Sequence, residues 1–335
     1  MAINKKTAVL MVTNSNIANI GGIESHVRQL SLALEKYAQV SISHLYPIRT
    51  STIFKKIPMV ADFKRLLAHN GRVHFHGFSV IFVVLLAVFS KKQNNVKWIW
   101  TPHMHPFSQH KNTFLAWLFF QVLTKRMLKK MDTIIVLSTI EKKYFSAIYP
   151  INKIALIPNS IKAVSTNIMP KNKRLHFLFV GRYNDNKRAW LIEKIAPLFP
   201  NYNFIFVTDK TNLITKDNLI YHNNIDCLAL NKLYSESIAV IIPSKYEAFS
   251  MVALESLSAG TPVIMAEGVQ IKEYLTDDVI TLLAEKSIEN ELINAIKKLS
   301  AMDEQLFNHS AQKAIKIAEG FLWENIVHQI ARNYQ

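Results

Sequence analysis

Two glutamates that lie eight residues apart mark the segment of the chain with the clearest chemistry. Residues 241–260 read IIPSKYEAFSMVALESLSAG and contain both Glu247 and Glu255. The pattern predicts a strand that ends at a Pro-Ser pair, a loop that carries Glu247, and a helix that begins near Ser250. Unpaired N–H groups at the start of such a helix can bind a diphosphate, and the carboxylates can accept hydrogen bonds from sugar and ribose hydroxyls. Taken alone, two glutamates at this spacing are more often solvent-facing helix charges.

Two cations follow another predicted strand. Arg182 and Lys187 lie five residues apart in VGRYNDNK, which spans residues 180–187. A site that holds a diphosphate without a metal ion must stabilise its negative charge with fixed cations and backbone donors. The guanidinium can contact two phosphate oxygens, and the ammonium acts as a point charge. The alternative for these two residues alone is an ordinary basic turn.

Apolar runs alternate with helical patterns along the chain, which predicts two α/β domains. Strands that are apolar throughout are typical of parallel sheets covered on both faces. Ligands of such sheets bind beyond the carboxyl ends of the strands, so we expect the site in a cleft between two facing Rossmann-like domains. Residues 162–173 are polar, contain Pro170 and form the predicted linker. The predicted strands are residues 7–13, 40–45, 73–75, 98–100, 133–137, 154–157, 175–180, 204–207, 239–243 and 261–265, and the predicted helices include residues 190–199 and 251–258.

Glycines are few, and half of them follow predicted strands. The chain has 8 glycines in 335 residues. Gly21, Gly22, Gly77 and Gly181 come just after strands, where glycine permits a positive φ or a close approach of backbone to a ligand. The alternative is that each only forms a tight turn.

Histidines form two H-x-H pairs in the first half. They are His74 with His76 and His103 with His105, and His110 follows. Imidazole is a common zinc ligand, but no carboxylate or cysteine lies near these histidines in the sequence. Strand alternation places each pair on one face of a strand end. We therefore expect histidines with satisfied hydrogen bonds near the site, and no metal ion or other cofactor.

The charge is divided unequally between the two halves. Hydrophobic residues make up 50% and charged residues 19% of the chain, which excludes intrinsic disorder, and the single Cys227 excludes an internal disulfide and favours a reducing compartment. Residues 1–165 contain 22 Lys and Arg against 5 Asp and Glu, a net charge of +17, whereas residues 166–335 have a net charge of −1. Residues 66–131 contain no carboxylate. The first half thus implies an anionic partner, which could be nucleic acid, a membrane surface or a small substrate.

Two segments of the first half combine apolar and basic residues. One has Val60, Phe63 and Leu67 beside Lys64 and Arg65; the other, residues 114–122, is apolar and precedes Lys125, Arg126, Lys129 and Lys130. Each could lie on an anionic bilayer, or form a core helix with a basic last turn. The longest apolar stretch, residues 78–89, is shorter than the roughly 20 residues that cross a bilayer. The first apolar run is read as a buried strand, not a signal peptide.

Several motifs together resemble a known family. The pattern PS-x-x-E-x-F-x-x-x-x-x-E at residues 243–255, followed by GTPV, resembles the donor-sugar signature of the family 4 retaining glycosyltransferases, also called glycosyl transferases group 1. VGRYNDNK resembles that family's G-R-L-x-x-x-K segment, IPNSI its I-P-N-G-V, and NIGGIESHV its G-G-x-E-x-x-V loop. FLWE at residues 321–324 resembles its F-S-W-E stretch. The resemblance covers almost the whole chain and keeps the order of the motifs.

The resemblance implies a GT-B fold of two Rossmann-like domains. The N-terminal domain would span residues 1–163 and face the acceptor, the nucleotide-sugar domain residues 164–320, and residues 321–335 would form a helix that crosses back to the first domain. The implied activity is metal-independent, retaining transfer from a UDP- or GDP-sugar to a glycan or lipid-linked acceptor, in the synthesis of surface polysaccharide such as lipopolysaccharide, or of glycolipid. The expected location is cytoplasmic and peripheral, at the inner face of a bacterial cell membrane.

The resemblance also implies roles for single residues. Glu247 would hold hydroxyls of the donor sugar and Glu255 the ribose, while Arg182 and Lys187 would bind the diphosphate. His103 would point at the transferred sugar, although His105 competes for that role. Transfer on one face, with the diphosphate oxygen taking the acceptor proton, requires no protein nucleophile or separate base. Further donor contacts would come from Gly21 and Gly22 and from the backbone of Phe249, Ser250, Met251 and Val252.

The sequence departs from the family pattern at three places. EAFS replaces E-G-F-G, Arg188 stands where the family has Gly after the Lys, and Ser160 replaces the Gly of I-P-N-G. The departures leave two alternatives open. One is another chemistry on the same fold, such as nucleotide-sugar epimerisation; the other is a non-catalytic protein that binds nucleotide sugars or polyanions. The sequence contains no aromatic-rich basic motif of a nucleic-acid reader, so nucleic acid is not the expected partner.

Overall fold

The chain divides into two compact units in its computed structural model. Unit 1 comprises residues 1–160 and 323–335, and unit 2 comprises residues 161–322. The residues that the structure describes are 7–14, 16–18, 21–38, 40–46, 60–77, 88, 90–92, 95–104, 122, 124–162, 168–211, 215, 217–223 and 225–335. His105, His110 and almost all of the apolar segments 78–89 and 114–122 lie outside these residues.

Unit 1 is built on a six-stranded parallel sheet. Its spatial order is β2-β1-β3-β4-β5-β6, so the chain reverses direction across the sheet between β1 and β3. The strands are β1 (Ala8–Val12), β2 (Ser41–Leu45), β3 (Arg72–His76), β4 (Lys97–Thr101), β5 (Thr133–Val136) and β6 (Ile154–Leu156). Helices with described bounds in the first 160 residues are α1 (Gly22–Tyr37), α2 (Val60–Leu67) and α3 (Thr139–Ser146), and residues 124–128 are also helical.

The end of the chain completes the core of unit 1. Helix α9 (Trp323–Ala331) places Trp323 and Val327 in a cluster with Val27 and Leu34 of α1. The Trp323 indole donates a hydrogen bond to Gln29 Oε1 at 3.0 Å. Alternate residues of β1 face opposite sides of the sheet, so the strand contributes to this cluster and to the one on the other face.

Unit 2 also contains a six-stranded parallel sheet, in the order β12-β11-β10-β7-β8-β9. The strands are β7 (His176–Val180), β8 (Asn203–Val207), β9 (Leu219–His222), β10 (Ser237–Ile242), β11 (Val263–Ala266) and β12 (Ile280–Leu283). The helices are α4 (Ala189–Ile195), α5 (Cys227–Glu236), α6 (Met251–Ser258), α7 (Ile288–Ala301) and α8 (Glu304–Glu319).

The predicted fold class is confirmed, and the two sheets are Rossmann-like. The predicted strands lie within about a residue or two of observed ones, but β9 and β12 were not predicted. The end of the predicted linker belongs to unit 2, where Lys171 Nζ donates to Ser300 O at 2.8 Å. Among the described helices, none combines the length and the hydropathy needed to span a membrane.

Candidate active site

The two loops singled out in the sequence meet at the centre of the unit 2 sheet. Strands β7 and β10 are neighbours, and the chain leaves them toward opposite edges of the sheet. Ligands of open α/β sheets bind at such a switch point, beyond the carboxyl ends of the strands. The loop after β7 spans residues 181–188, and the loop after β10 spans residues 243–250. This edge of the sheet is therefore the candidate active site of unit 2.

Asn186 connects the two loops. Its carbonyl oxygen accepts a hydrogen bond from the Lys245 N–H at 2.8 Å, and its side-chain Nδ2 donates to Tyr246 O at 3.1 Å. Both contacts cross from the loop after β7 to the loop after β10. Asn186 thus fixes the distance between the backbone next to Lys187 and the backbone next to Glu247.

Lys187 and Glu247 form an ion pair. Lys187 Nζ lies 2.7 Å from Glu247 Oε1, and the Ser244 hydroxyl donates to the same oxygen at 2.6 Å. The Glu247 side chain is 11% exposed and the Lys187 side chain 24%. Glu247 Oε2 has no hydrogen-bond partner among the described residues. One carboxylate oxygen therefore holds the side chain in place, and the other remains available to a ligand hydroxyl.

A third segment supports the loop that carries Glu247. The Glu247 N–H donates to Gly268 O at 3.1 Å, and the Gln270 N–H donates to Glu247 O at 3.2 Å. A Cβ atom on Gly268 would lie 1.8 Å from the Lys245 carbonyl oxygen, a distance that no side chain tolerates. Glycine at position 268 thus allows the two backbones to approach and hold Glu247.

Helix α6 begins immediately after this loop. Ser250 is its N-cap, and the Ser250 hydroxyl accepts a hydrogen bond from the Ala253 N–H at 3.4 Å. Because the first N–H groups of a helix have no acceptor within the helix, those of Met251 and Val252 can donate to an anion. Both residues are partly exposed, whereas Phe249 is 7% exposed. The segment offers a ligand mainly its backbone donors.

Glu255 lies further along the same helix. Its Oε2 accepts a hydrogen bond from the Tyr234 hydroxyl at 2.8 Å. Burial raises the pKa of Glu255 to about 7, and the hydrogen bond from Tyr234 opposes that shift. Burial and the neighbouring carboxyl group raise the pKa of Tyr234 well above its usual value. Glu255 is therefore fixed in position and titrates near neutral pH.

Arg182 is an exposed cation of the site. The N–H of the preceding Gly181 donates to Val207 O at 3.0 Å, which anchors the start of the loop. The Arg182 side chain makes no hydrogen bond or ion pair within the described part of the chain. Its guanidinium is available to an anion without first breaking a protein contact.

Unit 1 gathers three histidines at the carboxyl edge of its sheet. His26 lies on α1, His76 ends β3, and His103 follows β4 with a φ of 51°. His76 Nδ1 lies 3.2 Å from His103 Nε2, and the His26 and His103 ring centroids are 5.0 Å apart. Burial lowers the pKa of His26 to about 4 and those of His76 and His103 well below their usual value. All three imidazoles are therefore neutral at pH 7.

Among the described histidines that were expected to have satisfied hydrogen bonds, His74 has both ring nitrogens hydrogen-bonded. His74 Nδ1 bonds with the Tyr334 hydroxyl at 2.7 Å and His74 Nε2 with Thr101 Oγ1 at 2.8 Å. The His74 and His76 rings lie 4.0 Å apart on one face of β3, as alternation predicts. By contrast, His26 Nδ1 and His76 Nε2 are buried and have no hydrogen-bond partner. The expectation was therefore wrong for His76 Nε2, whereas His26 was not among the histidines singled out in the sequence.

The glycines of unit 1 that the sequence singled out differ in backbone conformation and in the space around them. Gly77 has a φ of 87°, and a Cβ there would lie 3.1 Å from Asn14 Nδ2. Gly21 is extended, with a φ of 173°, so its backbone does not require glycine. A Cβ on Gly22 would have no heavy atom within 4 Å, so the start of α1 leaves room for a ligand.

Two family models match this chain, one in each unit. A family model described as "Glycosyl transferase 4-like domain" matches residues 35–160, and one described as "Glycosyl transferases group 1" matches residues 174–302. The first match lies in unit 1 and the second in unit 2, where it contains both loops of the candidate site. The chain is a group 1 glycosyltransferase.

Several known proteins are similar to this glycosyltransferase in sequence or in fold. It is 25% identical over 217 residues to the O-antigen chain mannosyltransferase RfbU of Salmonella typhimurium, a match that covers 61% of this chain and 60% of RfbU. Its fold is similar to that of sucrose-phosphate synthase from Thermosynechococcus elongatus, with a TM-score of 0.80, 19% identity and 98% coverage of both chains. It is also similar to Anabaena HepE in complex with UDP-glucose, with a TM-score of 0.74, 15% identity and coverage of 97% and 98%. The GT-B fold that the sequence implied is confirmed.

The contacts of Arg188 in this glycosyltransferase were not predicted from the sequence. Arg188, which replaces the family's Gly, has a φ of 52°, the left-handed conformation that glycine adopts readily. Its Nε donates to Pro243 O at 2.5 Å, and its two terminal nitrogens donate to the Glu285 carboxylate at 2.6 and 3.0 Å. The substitution therefore adds a link between the loops after β7 and β10. Nothing in the sequence near Arg188 indicated Glu285, which lies 97 residues further on.

Proposed function

We propose that this glycosyltransferase moves a sugar from a UDP- or GDP-sugar to a glycan or lipid-linked acceptor in the synthesis of surface polysaccharide or glycolipid. The observation that carries the proposal is the arrangement of Lys187, Glu247 and Glu255 beside the open start of α6, at the switch point of unit 2. RfbU, by its name, transfers mannose to an O-antigen chain, and HepE was solved with UDP-glucose. Both support a nucleoside diphosphate sugar as the donor.

The donor diphosphate would lie at the start of α6. The N–H groups of Met251 and Val252 and the positive end of the helix favour an anion there. Arg182 would contact phosphate oxygens directly, and Lys187 would add a positive charge that Glu247 partly neutralises. Fixed donors of this kind stabilise the charge that develops on the leaving diphosphate, and each is worth about 10²- to 10³-fold in rate.

The two glutamates would bind the two sugars of the donor. Glu247 Oε2 would accept hydroxyls of the transferred sugar, because its Oε1 already accepts from Lys187 and Ser244. Glu255 would accept a ribose hydroxyl on the carboxylate oxygen that Tyr234 does not occupy. The contact of His103 with the transferred sugar remains a prediction of the family resemblance.

Transfer would retain the configuration of the sugar. The acceptor would attack from the face that the diphosphate leaves, and a diphosphate oxygen would take the acceptor proton. Glu247 is poorly suited to act as a nucleophile, because an ammonium and a hydroxyl hold its Oε1 and lower its nucleophilicity. The cations and helix start described above would stabilise the leaving group directly, so no catalytic metal ion is part of the proposal.

The test is product formation from candidate donors with an isolated glycolipid or oligosaccharide acceptor. We expect one nucleotide class to support transfer, with the anomeric configuration of the product, read by NMR, equal to that of the donor. Lys298→Ala changes an exposed lysine of unit 2 outside the site and is expected to match the wild type. Turnover of the donor without an acceptor would support an epimerase instead, and an inverted product would contradict retention.

The acceptor side of the proposal rests on the charge of unit 1. Exposed Lys64, Arg65, Lys91, Lys125 and Arg126 all lie in this unit, and the chain between residues 66 and 131 has no carboxylate. A Lys or Arg near an anionic bilayer contributes about 1 kcal/mol to binding. We propose that these residues bring the enzyme to the cytoplasmic membrane face, where a lipid-linked acceptor would lie.

Sedimentation with lipid vesicles tests the membrane contact. We expect binding to vesicles that contain phosphatidylglycerol, loss of binding at high salt, and no binding to pure phosphatidylcholine. The double variant Lys125→Glu/Arg126→Glu is expected to bind less than Lys297→Glu/Lys298→Glu, which makes the same charge change on exposed residues of unit 2. Equal binding of the two double variants would contradict a role for the unit 1 surface.

A further inference from the structure

Three histidines of unit 1 form a cluster, and the proposed transfer gives a role to only one of them, His103. One nitrogen from each of His26, His76 and His103 can be chosen so that all three lie within 4.8 Å of one another. The three residues come from α1, the last position of β3 and the loop after β4. They meet at the carboxyl edge of the sheet, where parallel α/β sheets bind ligands.

Two nitrogens of this cluster lack a partner that burial normally demands. His26 is 3% and His76 is 2% exposed, yet His26 Nδ1 and His76 Nε2 form no hydrogen bond. A buried polar atom without a partner is destabilising, and native proteins contain few of them. Unpartnered, buried ring nitrogens within one cluster therefore point to a ligand that binds nitrogen atoms.

The distances in the cluster suit a small cation. Zinc binds histidine nitrogens at about 2.0–2.1 Å, so two nitrogens of a tetrahedral site lie about 3.4 Å apart. His76 Nδ1 and His103 Nε2 are already 3.2 Å apart. An ion bound to these two atoms would replace the hydrogen bond between them, and the unpartnered His76 Nε2 would then not be a ligand. The longest separation in the group, 4.8 Å, needs a side-chain rotation to close. Because His103 is partly exposed, an ion would enter on that side, and water would supply the fourth ligand.

Neighbouring side chains hold the rings in place. The His74 ring lies 4.0 Å from that of His76, and both His74 nitrogens are hydrogen-bonded. The Trp323 ring lies 5.5 Å from that of His26. Packing of this kind reduces the freedom that the rings lose when a metal binds, although the cluster must still contract from 4.8 Å.

We propose that His26, His76 and His103 bind one Zn²⁺ ion in unit 1. Neutral imidazole is the form that coordinates a metal, and three imidazoles with a water molecule are a complete ligand set for zinc. No carboxylate or cysteine belongs to the described group, so softer or imidazole-preferring ions are favoured over Mg²⁺ and Ca²⁺. The ion would connect α1, β3 and β4 and so stabilise unit 1. Its ligands all come from unit 1, and it takes no part in the proposed leaving-group stabilisation.

Equilibrium dialysis of the tag-free, EDTA-treated chain against zinc tests the proposal without any nucleotide sugar. We expect saturation at one zinc per chain and a higher thermal unfolding temperature in the presence of zinc. Cobalt should give the visible absorption of a four-coordinate site. His76→Ala and His103→Asn are expected to weaken zinc binding by at least about 100-fold, since even an outer-shell change costs 10- to 100-fold.

Two variants control for zinc bound elsewhere. His309→Ala and His328→Ala change exposed histidines and should bind zinc as the wild type does. Unfolding of each variant without zinc shows whether it is folded, and His103→Asn serves if the fully buried His76→Ala is not. Absence of stoichiometric zinc on the wild type, or equal binding by His103→Asn and the controls, would overturn the proposal. Neither result depends on whether the protein transfers sugars.

Discussion

Replacing Glu255 by glutamine is expected to make the protein more stable above neutral pH while weakening its binding of nucleotides. Glu255 is largely buried beside Tyr234, and burial raises its pKa from 4.5 to about 7. The folded state therefore holds this proton more tightly than the unfolded state does. The resulting stability is fully present below pH 4.5 and is lost as the pH rises through 7. Glutamine has nearly the same shape and does not titrate.

The size of the effect follows from the two pKa values. One pKa unit corresponds to about 1.4 kcal/mol, so the shift at Glu255 corresponds to about 3 kcal/mol. The difference in unfolding free energy, Glu255→Gln minus wild type, should rise by about that amount between pH 4.5 and pH 8. Loss of a hydrogen bond from ribose to a charged oxygen should weaken nucleotide binding about 10- to 100-fold at pH 8.

Urea unfolding and calorimetric titration with a nucleotide, each at several pH values, measure both effects. Wild-type affinity should fall as the pH drops below 7, because the protonated carboxyl group is a poorer acceptor, whereas Glu255→Gln should show no such trend. Glu193→Gln is the matched control for the unfolding measurement, since Glu193 is also partly buried and accepts hydrogen bonds from the hydroxyls of Tyr183 and Tyr221. A Glu255→Gln variant that is less stable than wild type at pH 8, or that binds nucleotide equally well, would refute the reasoning.

Three further substitutions probe the loops of unit 2. Lys187→Ala should lower kcat/KM for a nucleotide sugar by about 100-fold or more, and steady-state kinetics showing less than a tenfold loss would argue against its role. Arg188→Gly keeps the left-handed backbone but removes the hydrogen bonds to Pro243 and Glu285. Urea unfolding should therefore show a free energy of unfolding that is lower by about 1–2 kcal/mol, and an unchanged value would mean that these contacts do not stabilise the fold. Gly268→Ala places a Cβ 1.8 Å from the Lys245 carbonyl oxygen. It should lower the free energy of unfolding by more than about 2 kcal/mol and weaken nucleotide-sugar binding. A wild-type melting temperature and wild-type binding in a titration would show that the backbone adjusts to the added methyl group.

The core strands and the first turn of α6 could be predicted because their signals are local. Strand β10 is apolar over consecutive residues and fully buried, and Ser250 is a residue type that favours the N-cap position. Strands β9 and β12 were missed, since each has only four residues, is partly exposed and lies at a sheet edge. An edge strand covered on fewer sides has less of the continuous apolar pattern.

The contacts within the site could not be predicted, because they join residues far apart in the chain. Lys187 reaches Glu247 across 60 positions, and Arg188 reaches Glu285 across 97. The histidine cluster depends on the register of β3 and β4, which pairs His76 with Thr101 and so brings the residues that follow together. The sequence indicated which residue types were present, and the sheet order determined which of them meet.

Calorimetric titration of the wild type with UDP-, GDP- and ADP-sugars is the most direct test of the central claim. Unit 2 is predicted to bind one nucleotide class saturably, with the affinity lowered by both Arg182→Ala and Glu255→Ala and unchanged by Lys298→Ala. A folded wild-type protein that binds none of these donors, or one whose affinity is the same in all three variants, would contradict a nucleotide-sugar site at the switch point of unit 2.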